Sequence, residues 1–575
     1  MRDLVDAIRP LLGPVMSEIG VQESDWNNLL AGSTDSTFAD VALPCHSLSK
    51  VLRKAPNTIA DEIFEHLGPT TEGICQVSSI NGFLNFSADP NWLCDILQES
   101  LADDRLRVLT EEPRVIVIDY SSPNVAKHMH VGHLRSTVIG DALNRMLSYK
   151  GHRVVPENHI GDWGTPFGML IEHLIDLGLD SEAQHIDLST FYSDARAKFD
   201  SDSDFASRSR ARVVRMQSSE PETIELWQML VDRSLIHFNE VYQRMGILLS
   251  NDNLAGESKY ESALPGVVEK LAKVGLLEES DGAKVVYLDG WKNREGEPLP
   301  LIIQKADGGY NYATSDLACI LDRIENVGSR EFLYVVGAEQ AQHFAMVFEV
   351  ARNAGFMDEG VNAIHVPFGL VMGTDGKKLA SRTGGAVHLN ELLIEAVERA
   401  DAIVAEKSPN LSEDERAEVS KMLGIGAIKY ADLSTDRNNN YTFEWEKMLS
   451  FDGNTAPYLQ YAHARICSIF SKDEIDRNSI SNAEIILTHE REIALARALI
   501  KFPESLDSAC SSHSPHKLAT QLHNIAQAFG SFYEVCTVLN AEDSTKLSRL
   551  ALCDLTARTL QTGLDLLGID SPHRM

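Results

Sequence analysis

The chain has 575 residues, which is too long for one hydrophobic core and predicts roughly two to four domains. It carries 52 Lys and Arg residues against 84 Asp and Glu residues, and the net charge of −32 disfavours nonspecific DNA binding without excluding a local basic face. No apolar run is long enough to span a membrane and the N-terminus lacks a cleavable signal pattern, so we expect a cytoplasmic protein without membrane partners.

The eight cysteines indicate neither a disulfide framework nor a metal centre. They are scattered, and the sequence shows no C-x-x-C motif and no Cys/His cluster. This pattern predicts reduced thiols and no structural zinc. The cysteines are Cys45, Cys75, Cys94, Cys319, Cys467, Cys510, Cys536 and Cys553.

Residues 1 to about 110 form a first region of mixed α and β pattern. Near its end, apolar and polar residues alternate over Asn81–Phe86, which predicts a strand. On pattern alone, the favoured interpretation is an edge strand with Phe83 and Phe86 in the core.

A strand, a turn and a helix are predicted next, within residues 115–146. Val115–Ile118 is an apolar run, and the residues from Leu134 to Met146 repeat apolar side chains at 3.6-residue spacing. Between them lies His130-Val131-Gly132-His133, where Gly132 lets the backbone approach a phosphate and the imidazoles can donate hydrogen bonds to its oxygens. The H-x-G-H motif alone is a weak signal. Its position between a buried strand and a helix favours the nucleotide site of a doubly wound sheet.

The whole stretch from about 111 to 390 alternates short apolar runs with helical segments, which is typical of parallel βαβ units. Polar helices interrupt this alternation and predict an insertion at about 175–300. The predicted strands are Leu301–Gln304, Phe332–Val336 and Ile364–Met372, and the predicted helices are 188–202, 222–246, 314–327 and 339–354.

A second motif lies at residues 365–385, where an apolar segment leads into a glycine-rich loop containing Lys377, Lys378 and Arg382. Alone, this loop is best interpreted as a solvated basic turn. Together with the upstream phosphate-binding turn, it forms the second half of what ATP adenylation requires, namely mobile cations that fold over the phosphates.

Beyond about residue 390 the pattern is helical almost throughout and predicts an all-α bundle. From the pattern alone, ordinary helix packing explains Tyr458, Gln460, Tyr461 and Arg465 as well as a binding role does. The predicted breaks are Ser408-Pro409, Pro457, Pro503 and Pro515.

Several blocks, in this order, resemble the class I aminoacyl-tRNA synthetases and, among these, the arginyl-tRNA synthetase family. The resemblance runs nearly end to end. The blocks are SSPNVAKHMHVGHLRST at 121–137, NHIGDWGTPFG at 158–168, FYSDARAKFD at 191–200, YATSDLA at 312–318, DGKKLASRTGG at 375–385, SFDGNTAPYLQYAHARI at 450–466 and GLDLLGIDSPHRM at 563–575.

The resemblance implies a Rossmann-like catalytic domain at 111–390 with an insertion, an α+β N-terminal domain at 1–110 that touches the tRNA elbow, and an all-α anticodon-binding domain at 391–575. It also implies a monomer that uses ATP with Mg²⁺, L-arginine and tRNA(Arg). Phe83 and Asn85 match positions that stack on and hydrogen-bond a D-loop base, a mode suited to unpaired RNA. In all, six residues match the family's tRNA-binding positions. They are Phe83, Asn85, Tyr458, Gln460, Tyr461 and Arg465.

In the same way, the resemblance assigns the catalytic site. His130, His133 and Lys378 are implied to act on the phosphates, with Gly132, Lys377 and Arg382 around the nucleotide. An arginine pocket needs acceptors for a planar guanidinium, which carboxylates provide. The matching pocket residues are Asp119, Ser122, Asn124, Tyr312, Asp316 and Gln340; a helix cap or first-turn charge is the alternative for Asp316.

One departure from the class pattern concerns the loop motif K-M-S-K-S. Here Ser381 stands where the second lysine belongs, so one cation is missing. Arginyl enzymes commonly lack it and compensate with a lysine just upstream of the histidine motif, which here is Lys127. A surface charge is the alternative for Lys127.

Two other functions are compatible with part of this pattern. A related nucleotidyltransferase that forms an adenylate without tRNA is disfavoured by the N-terminal and helical regions. A noncatalytic tRNA-binding relative would be expected to have lost the phosphate motifs, but His130, Gly132, His133 and Lys378 are all present.

Overall fold

The computed structural model describes residues 2–33, 39–71, 73–178, 188–380, 387–472, 475–481 and 483–575. The chain forms two compact units, and each combines segments that are distant in sequence. Unit 1 comprises Met1–Leu109, Phe451–Asp565 and Asp570–Met575, and unit 2 comprises Thr110–Ser450 and Leu566–Ile569.

The amino-terminal part of unit 1 is a five-stranded antiparallel sheet in the order β1-β2-β5-β4-β3 with helices packed on it. Asn81 and Gly82 form the turn between β4 and β5, both with positive φ, the conformation that two-residue hairpins favour. The predicted strand at 81–86 therefore begins at Phe83 instead. The elements are α1 (Arg2–Glu18), α2 (Glu23–Trp26), β1 (Ala31–Gly32), β2 (Val41–Pro44), α3 (Ser49–Leu52), α4 (Pro56–Leu67), β3 (Thr70–Thr71), β4 (Cys75–Ile80), β5 (Phe83–Ala88) and α5 (Pro90–Ala102).

The centre of unit 2 is a four-stranded parallel sheet. Its strand order is β12 (Asn362–His365), β11 (Glu331–Tyr334), β6 (Val115–Asp119) and β7 (Arg153–Glu157). Because β7 and β11 lie on opposite sides of β6, the strand order reverses there, and the crevice at the carboxyl ends of these strands is where such sheets bind ligands. The elements of unit 2 begin with β6 (Val115–Asp119), α6 (Val131–Tyr149), β7 (Arg153–Glu157) and α7 (Thr165–Asp176).

Tight packing of α6 against β6 fixes the position of the helix over the sheet. A Cβ built on Gly140 would lie 2.3 Å from the Tyr120 side chain, so no larger residue fits there. The Ser136 hydroxyl accepts from the Ser121 N–H and donates to the Val335 carbonyl, which ties the helix to the ends of β6 and β11. The start of α6 is thereby held at the sheet's carboxyl edge.

The predicted insertion at about 175–300 contains helices, as expected, but its end also contributes β8 and β9 to a second sheet. Leu301–Gln304 was expected in a parallel βαβ unit, and this was wrong, because β10 pairs antiparallel with β9. An apolar run does not specify the direction of its partner strand. The elements are α8 (Leu188–Ser201), α9 (Ser203–Gln217), α10 (Pro221–Met245), α11 (Glu257–Tyr260), α12 (Leu264–Lys273), β8 (Glu278–Ser280), β9 (Ala283–Lys292), β10 (Pro298–Gln304), α13 (Tyr312–Glu325), β11 (Glu331–Tyr334), α14 (Ala341–Asn353), β12 (Asn362–His365) and β13 (Val371–Met372).

Three helices beyond residue 388 belong to unit 2 rather than to the terminal bundle. α15 and α16 pack on each other and on α6, and Arg135 of α6 forms a buried ion pair with Asp432 of α16 at 3.1 Å. The boundary between the two compact units therefore lies at Ser450. The boundary predicted from the change in sequence pattern lies near residue 390. The elements are α15 (Leu389–Lys407), α16 (Glu413–Leu433), β14 (Tyr441–Thr442) and α17 (Trp445–Met448).

The carboxyl-terminal part of unit 1 is a helical bundle, as the pattern predicts. Prolines mark where its helices begin: Pro457 and Pro503 lie in first turns and Pro515 precedes α21. Its elements are α18 (Ala456–Lys472), α19 (Glu490–Leu499), α20 (Phe502–Ser511), α21 (His516–Val535) and α22 (Asp543–Leu566). Across the described ranges of both units, no helix is long and apolar enough to cross a membrane.

Unit 1 brings together Cys and His side chains that form no cluster in the sequence. His463 and Cys467 on α18 converge with His573 of the tail. Sequence inspection missed the cluster because Cys467 and His573 are separated by 106 positions.

Candidate active site

The start of α6 presents both histidines of the H-x-G-H motif. His130 is the N-cap, and its Nδ1 accepts a hydrogen bond from the Gly132 N–H at 3.0 Å. The Nδ1 of His133 accepts from the His130 N–H at 3.1 Å. Because each Nδ1 is an acceptor, each neutral ring carries its proton on Nε2. Two Nε2–H donors therefore stand at the positive end of a helix, where phosphate oxygens bind well.

Both imidazoles are held in the neutral form. Burial, together with the charges of Lys378 and Lys127, lowers the pKa of His130. Burial and the neighbouring His130 lower the pKa of His133 to about 3. The histidines can thus supply directed N–H donors, while the positive charge for a polyphosphate has to come from the lysines.

Lys127 is exposed, and its ammonium lies over the ring of Tyr192, 4.5 Å from the ring centroid. Tyr192 belongs to α8 in the insertion, and the motif analysis assigned it no role although it lies in the FYSDARAKFD block. A cation over an aromatic face is held by the ring quadrupole. Since Lys127 also contributes to the lowered pKa of His130, this contact keeps the lysine within electrostatic reach of the motif.

The predicted basic loop begins as a hairpin that turns at Asp375-Gly376. Gly376 has a φ of +73°, and Lys378 pairs back with Met372 of β13. The Lys377 N–H donates to the Asp375 carboxylate at 3.0 Å, and both lysine side chains are exposed. Lys378 is thereby brought to the histidine motif, as its effect on His130 indicates. Ser381 and Arg382 lie outside the described residues, so the role of Arg382 stays a prediction.

Asp316 lies on α13 beside His343, which follows β11. The two side chains form a hydrogen bond of 2.6 Å. Burial opposes protonation of His343, but the hydrogen bond and charge of Asp316 outweigh it and raise the pKa of His343. α13 begins at Tyr312 with Asn311 as its N-cap, so Asp316 is neither a cap nor a first-turn residue. This disfavours the alternative offered for it.

Two further predicted pocket residues are open to solvent. Tyr312 is 70% exposed, so the face of its ring is available to a ligand. Gln340 is exposed on the 3-10 turn Ala338–Gln340, directly after β11. Both therefore lie on segments that a bound amino acid could reach without rearrangement of the core.

Asp119 is buried at the end of β6, where its charge is already paired. It accepts from Arg323 at 2.8 Å and from the Ser122 hydroxyl at 3.1 Å. Glu157, at the end of β7, accepts from the same guanidinium at 2.8 Å. A ligand ammonium at Asp119 would therefore share this carboxylate with Arg323. Asn124 is exposed, and its backbone forms an isolated β-bridge with Gly161.

Glu257, at the start of α11, is a candidate that the sequence analysis missed. Burial, reinforced by the negative charges of Asp162 and Asp316, raises its pKa to about 7, although His159 acts in the opposite direction. Burial raises the pKa of Tyr312, and the negative charge of Glu257 raises it further. Glu257 therefore faces the same space as the Tyr312 ring. A destabilised carboxylate in a cleft suits a cationic ligand. Glu257 is distant in sequence from the YATSDLA block that contains Tyr312 and Asp316, so the sequence alone gave no reason to group it with them.

The predicted tRNA-binding residues lie in unit 1, in two sets. In the first, Phe83 is 38% exposed with its ring 5.2 Å from that of His46, whereas Phe86 is buried, so the predicted core position is right for Phe86 and wrong for Phe83. The prediction of an edge strand was also wrong, because β5 is the central strand of its sheet. Asn85 is buried, and its amide donates to the Phe83 carbonyl at 3.5 Å. Phe83 is therefore the more accessible of the two.

The second set lies on α18. Tyr461 is 44% exposed, Arg465 lies over the Tyr533 ring at 4.4 Å, and the ring of Tyr458 is 5.6 Å from that of His523. Gln460 is fully buried, and its amide donates to the Asp570 carbonyl at 2.7 Å, a placement that favours a packing role over RNA contact.

Family models match three successive parts of the chain. The model described as arginyl tRNA synthetase N terminal domain matches residues 5–88. The model described as tRNA synthetases class I (R), catalytic domain, matches residues 96–445, and the DALR anticodon binding domain matches residues 459–575.

Individual proteins are similar over nearly the full length. An arginine–tRNA ligase of Thermobifida fusca is 49% identical over 97% of this chain and 96% of its own, and one of Shigella dysenteriae is 45% identical over 92% of both. The crystal structure of arginyl-tRNA synthetase from Plasmodium falciparum superposes with a TM-score of 0.84 at 26% identity, covering 99% of both chains. Thermus thermophilus arginyl-tRNA synthetase gives 0.78 at 26% identity, covering 99% of this chain and 100% of its own.

Proposed function

We infer the chemistry of this chain from the premise that it belongs to the arginyl-tRNA synthetase family. It is an arginine–tRNA ligase, which uses ATP to convert L-arginine to arginyl-adenylate and transfers the arginyl group to tRNA(Arg), giving AMP and pyrophosphate. The observation that carries this assignment is the pair of Nε2–H donors at the start of α6, on the same sheet edge as carboxylates suited to a guanidinium.

In the first step, the arginine carboxylate attacks the α-phosphorus of ATP and pyrophosphate leaves in line. No covalent enzyme intermediate is needed, so the protein's task is to position two anions and to stabilise the charge that develops on the phosphate oxygens. We propose that His130 and His133 donate to those oxygens, that Gly132 allows their close approach, and that Lys127 and Lys378 supply positive charge. Lys377 and Arg382 are proposed to cover the nucleotide, and Mg²⁺ enters with ATP as part of the substrate.

For the amino acid, we propose a pocket in which Asp316, Glu257 and Tyr312 receive the guanidinium. Carboxylates accept its N–H donors bidentately, and the exposed tyrosine ring offers a π-face. The ammonium and carboxylate of arginine are proposed to be held by Asp119, Ser122, Asn124 and Gln340. Because a neutral substrate offers these half-buried carboxylates no positive charge, we propose that the pocket rejects such competitors without proofreading.

We propose that unit 1 engages tRNA. The N-terminal domain, assigned to 1–110, would contact the tRNA elbow through Phe83, and the helical domain, assigned from 391, would contact the anticodon through Tyr458, Tyr461 and Arg465. The family models that match residues 5–88 and 459–575 lie within these two regions and support their separate roles, while the catalytic model extends to residue 445. We also propose that the protein acts as a monomer in the cytoplasm.

The test is aminoacylation with purified protein, ATP, magnesium and total tRNA, supplying each of the amino acids in turn. Only arginine should be charged, and omission of ATP should abolish the product. Arginine-dependent adenylate formation without any charged tRNA would instead favour an adenylate-forming enzyme, and charging of another amino acid would refute the pocket assignment.

Glu257 leads to a prediction about pH. Its pKa is raised to about 7 in the empty pocket, and only the ionised form can pair with a guanidinium. As the pH falls through about 7, the KM for arginine should therefore rise, by up to about tenfold per pH unit below the pKa. The measurement is the KM for arginine between pH 6 and 8, with the KM for ATP as the internal reference.

Glu257→Gln is the matched variant, because it keeps the shape of the side chain and removes the titration. We expect it to bind arginine more weakly with a KM that no longer changes over this pH range. An unaltered pH profile in Glu257→Gln would show that another group titrates.

A further inference from the structure

The carboxyl-terminal part of unit 1 holds a cluster that the proposed reaction does not use. His463 and Cys467 lie one helical turn apart on α18 and are 1% and 6% exposed. The exposed His573 of the tail completes the group, and one ligand atom from each of the three residues lies within 4.8 Å of the others. Two imidazoles and a thiol that converge in this way are a set of donors that transition metals favour.

The spacing of the donor atoms matches tetrahedral zinc. The Cys467 sulfur is 3.7 Å from His463 Nε2 and 3.6 Å from His573 Nδ1. With Zn–S of about 2.3 Å and Zn–N of about 2.0–2.1 Å, two ligands at the tetrahedral angle stand roughly 3.6 Å apart. Both sulfur–nitrogen distances therefore match those around a bound ion, and the two imidazole nitrogens lie within 4.8 Å of each other.

Surrounding groups orient the donors. The Nδ1 of His463 donates to the Pro572 carbonyl at 3.0 Å, which leaves Nε2 as the free lone pair facing the sulfur. Metal-bound imidazoles commonly make such a bond with their second nitrogen. Arg477 donates to the Cys467 sulfur at 3.4 Å, and Asp554 lies 3.7 Å from Arg477 and offsets its charge.

We propose that His463, Cys467 and His573 bind one Zn²⁺ ion, with a water as fourth ligand on the exposed side of His573. Because His573 belongs to the tail and the other two ligands to α18, the ion would fasten the last residues of the chain to the helical bundle. The same tail is already held by the Gln460 amide at the Asp570 carbonyl. The site is structural and separate from the phosphate chemistry.

The test uses the full-length protein, stripped of metal with a chelator and then titrated with Zn²⁺ or Co²⁺. We expect one equivalent to bind, with the intense visible bands of tetrahedral Co²⁺ and a near-ultraviolet thiolate-to-cobalt band. His573→Ala should lower zinc affinity by at least about tenfold, the smallest loss typical even for an outer ligand partner. Cys467→Ser should also remove the thiolate band. His66→Ala, an exposed histidine of the same unit, is the matched control and should bind as the unaltered chain does.

A second measurement reports on the tail and does not depend on a variant of the buried residues. Amide hydrogen exchange at residues 570–575 should slow when Zn²⁺ is added to the unaltered chain, and should not respond in His573→Ala. The proposal fails if Co²⁺ binds without a thiolate band, if His573→Ala keeps full affinity, or if zinc leaves exchange in the tail unchanged.

Discussion

Lys127→Ala should lower arginine-dependent turnover. The loss should correspond to roughly 2–4 kcal/mol of transition-state stabilisation, the scale seen when one preorganised electrostatic donor is removed. The physical reason is a shortage of positive charge at the phosphates. Ser381 stands where class I enzymes carry a second loop lysine, and His130 and His133 are neutral. The measurement is ATP–pyrophosphate exchange under saturating ATP and arginine.

Tyr192 supplies the matched controls for this lysine. If the tyrosine ring holds the Lys127 ammonium, Tyr192→Leu should reduce turnover, by about 0.5–2 kcal/mol, whereas Tyr192→Phe retains the aromatic face and should stay close to the unaltered chain. Tyr192→Leu should have no further effect in a Lys127→Ala background. An additive loss would place Tyr192 in a separate role, such as packing.

Restoring the class pattern provides a third comparison. Ser381→Lys added to Lys127→Ala should recover part of the lost turnover, but not all of it, because a loop lysine approaches the phosphates from another side. Normal turnover of Lys127→Ala itself would show that the missing loop cation is replaced elsewhere, and Arg382 would become the leading candidate.

The parts of the site that could be predicted from the sequence are those encoded locally. β6, α6 and the H-x-G-H motif lie within residues 115–149, where strand, cap and helix signals follow one another directly. The pattern also predicted two of the insertion helices, α8 and α10, to within a residue or two at each end, since 3.6-residue periodicity depends only on near neighbours.

What the sequence could not supply are contacts between distant segments. Glu257 joins the pocket from α11, and Tyr192 reaches Lys127 from the insertion. Periodicity shows that α15 and α16 are helices but not that they pack on α6, because an apolar stripe does not name its partner. For the same reason, the direction of β10 was open until its neighbour β9 was seen.

Asp316→Asn is expected to reduce kcat/KM for arginine. The loss should correspond to about 2–5 kcal/mol of binding free energy, because truncating one partner of a desolvated charge pair costs that much. The KM for ATP should change little, because the phosphate donors lie on α6 and the 371–379 hairpin. The decisive reading is the ratio of kcat/KM for arginine to that for citrulline, a neutral analogue with the same length. Removing the negative charge should lower this ratio.

The control separates recognition from support of the pocket. Asp316 is hydrogen-bonded to His343 in the empty site, so His343→Asn removes that partner and leaves the carboxylate in place. If Asp316 binds the guanidinium directly, His343→Asn should affect arginine binding much less than Asp316→Asn and should leave the arginine-to-citrulline ratio nearly unchanged. If instead both variants lose activity equally and Asp316→Asn keeps the ratio, Asp316 serves to position His343. Glu257 would then be the leading candidate for the carboxylate that selects arginine, because its charge acts on Tyr312 in the same space.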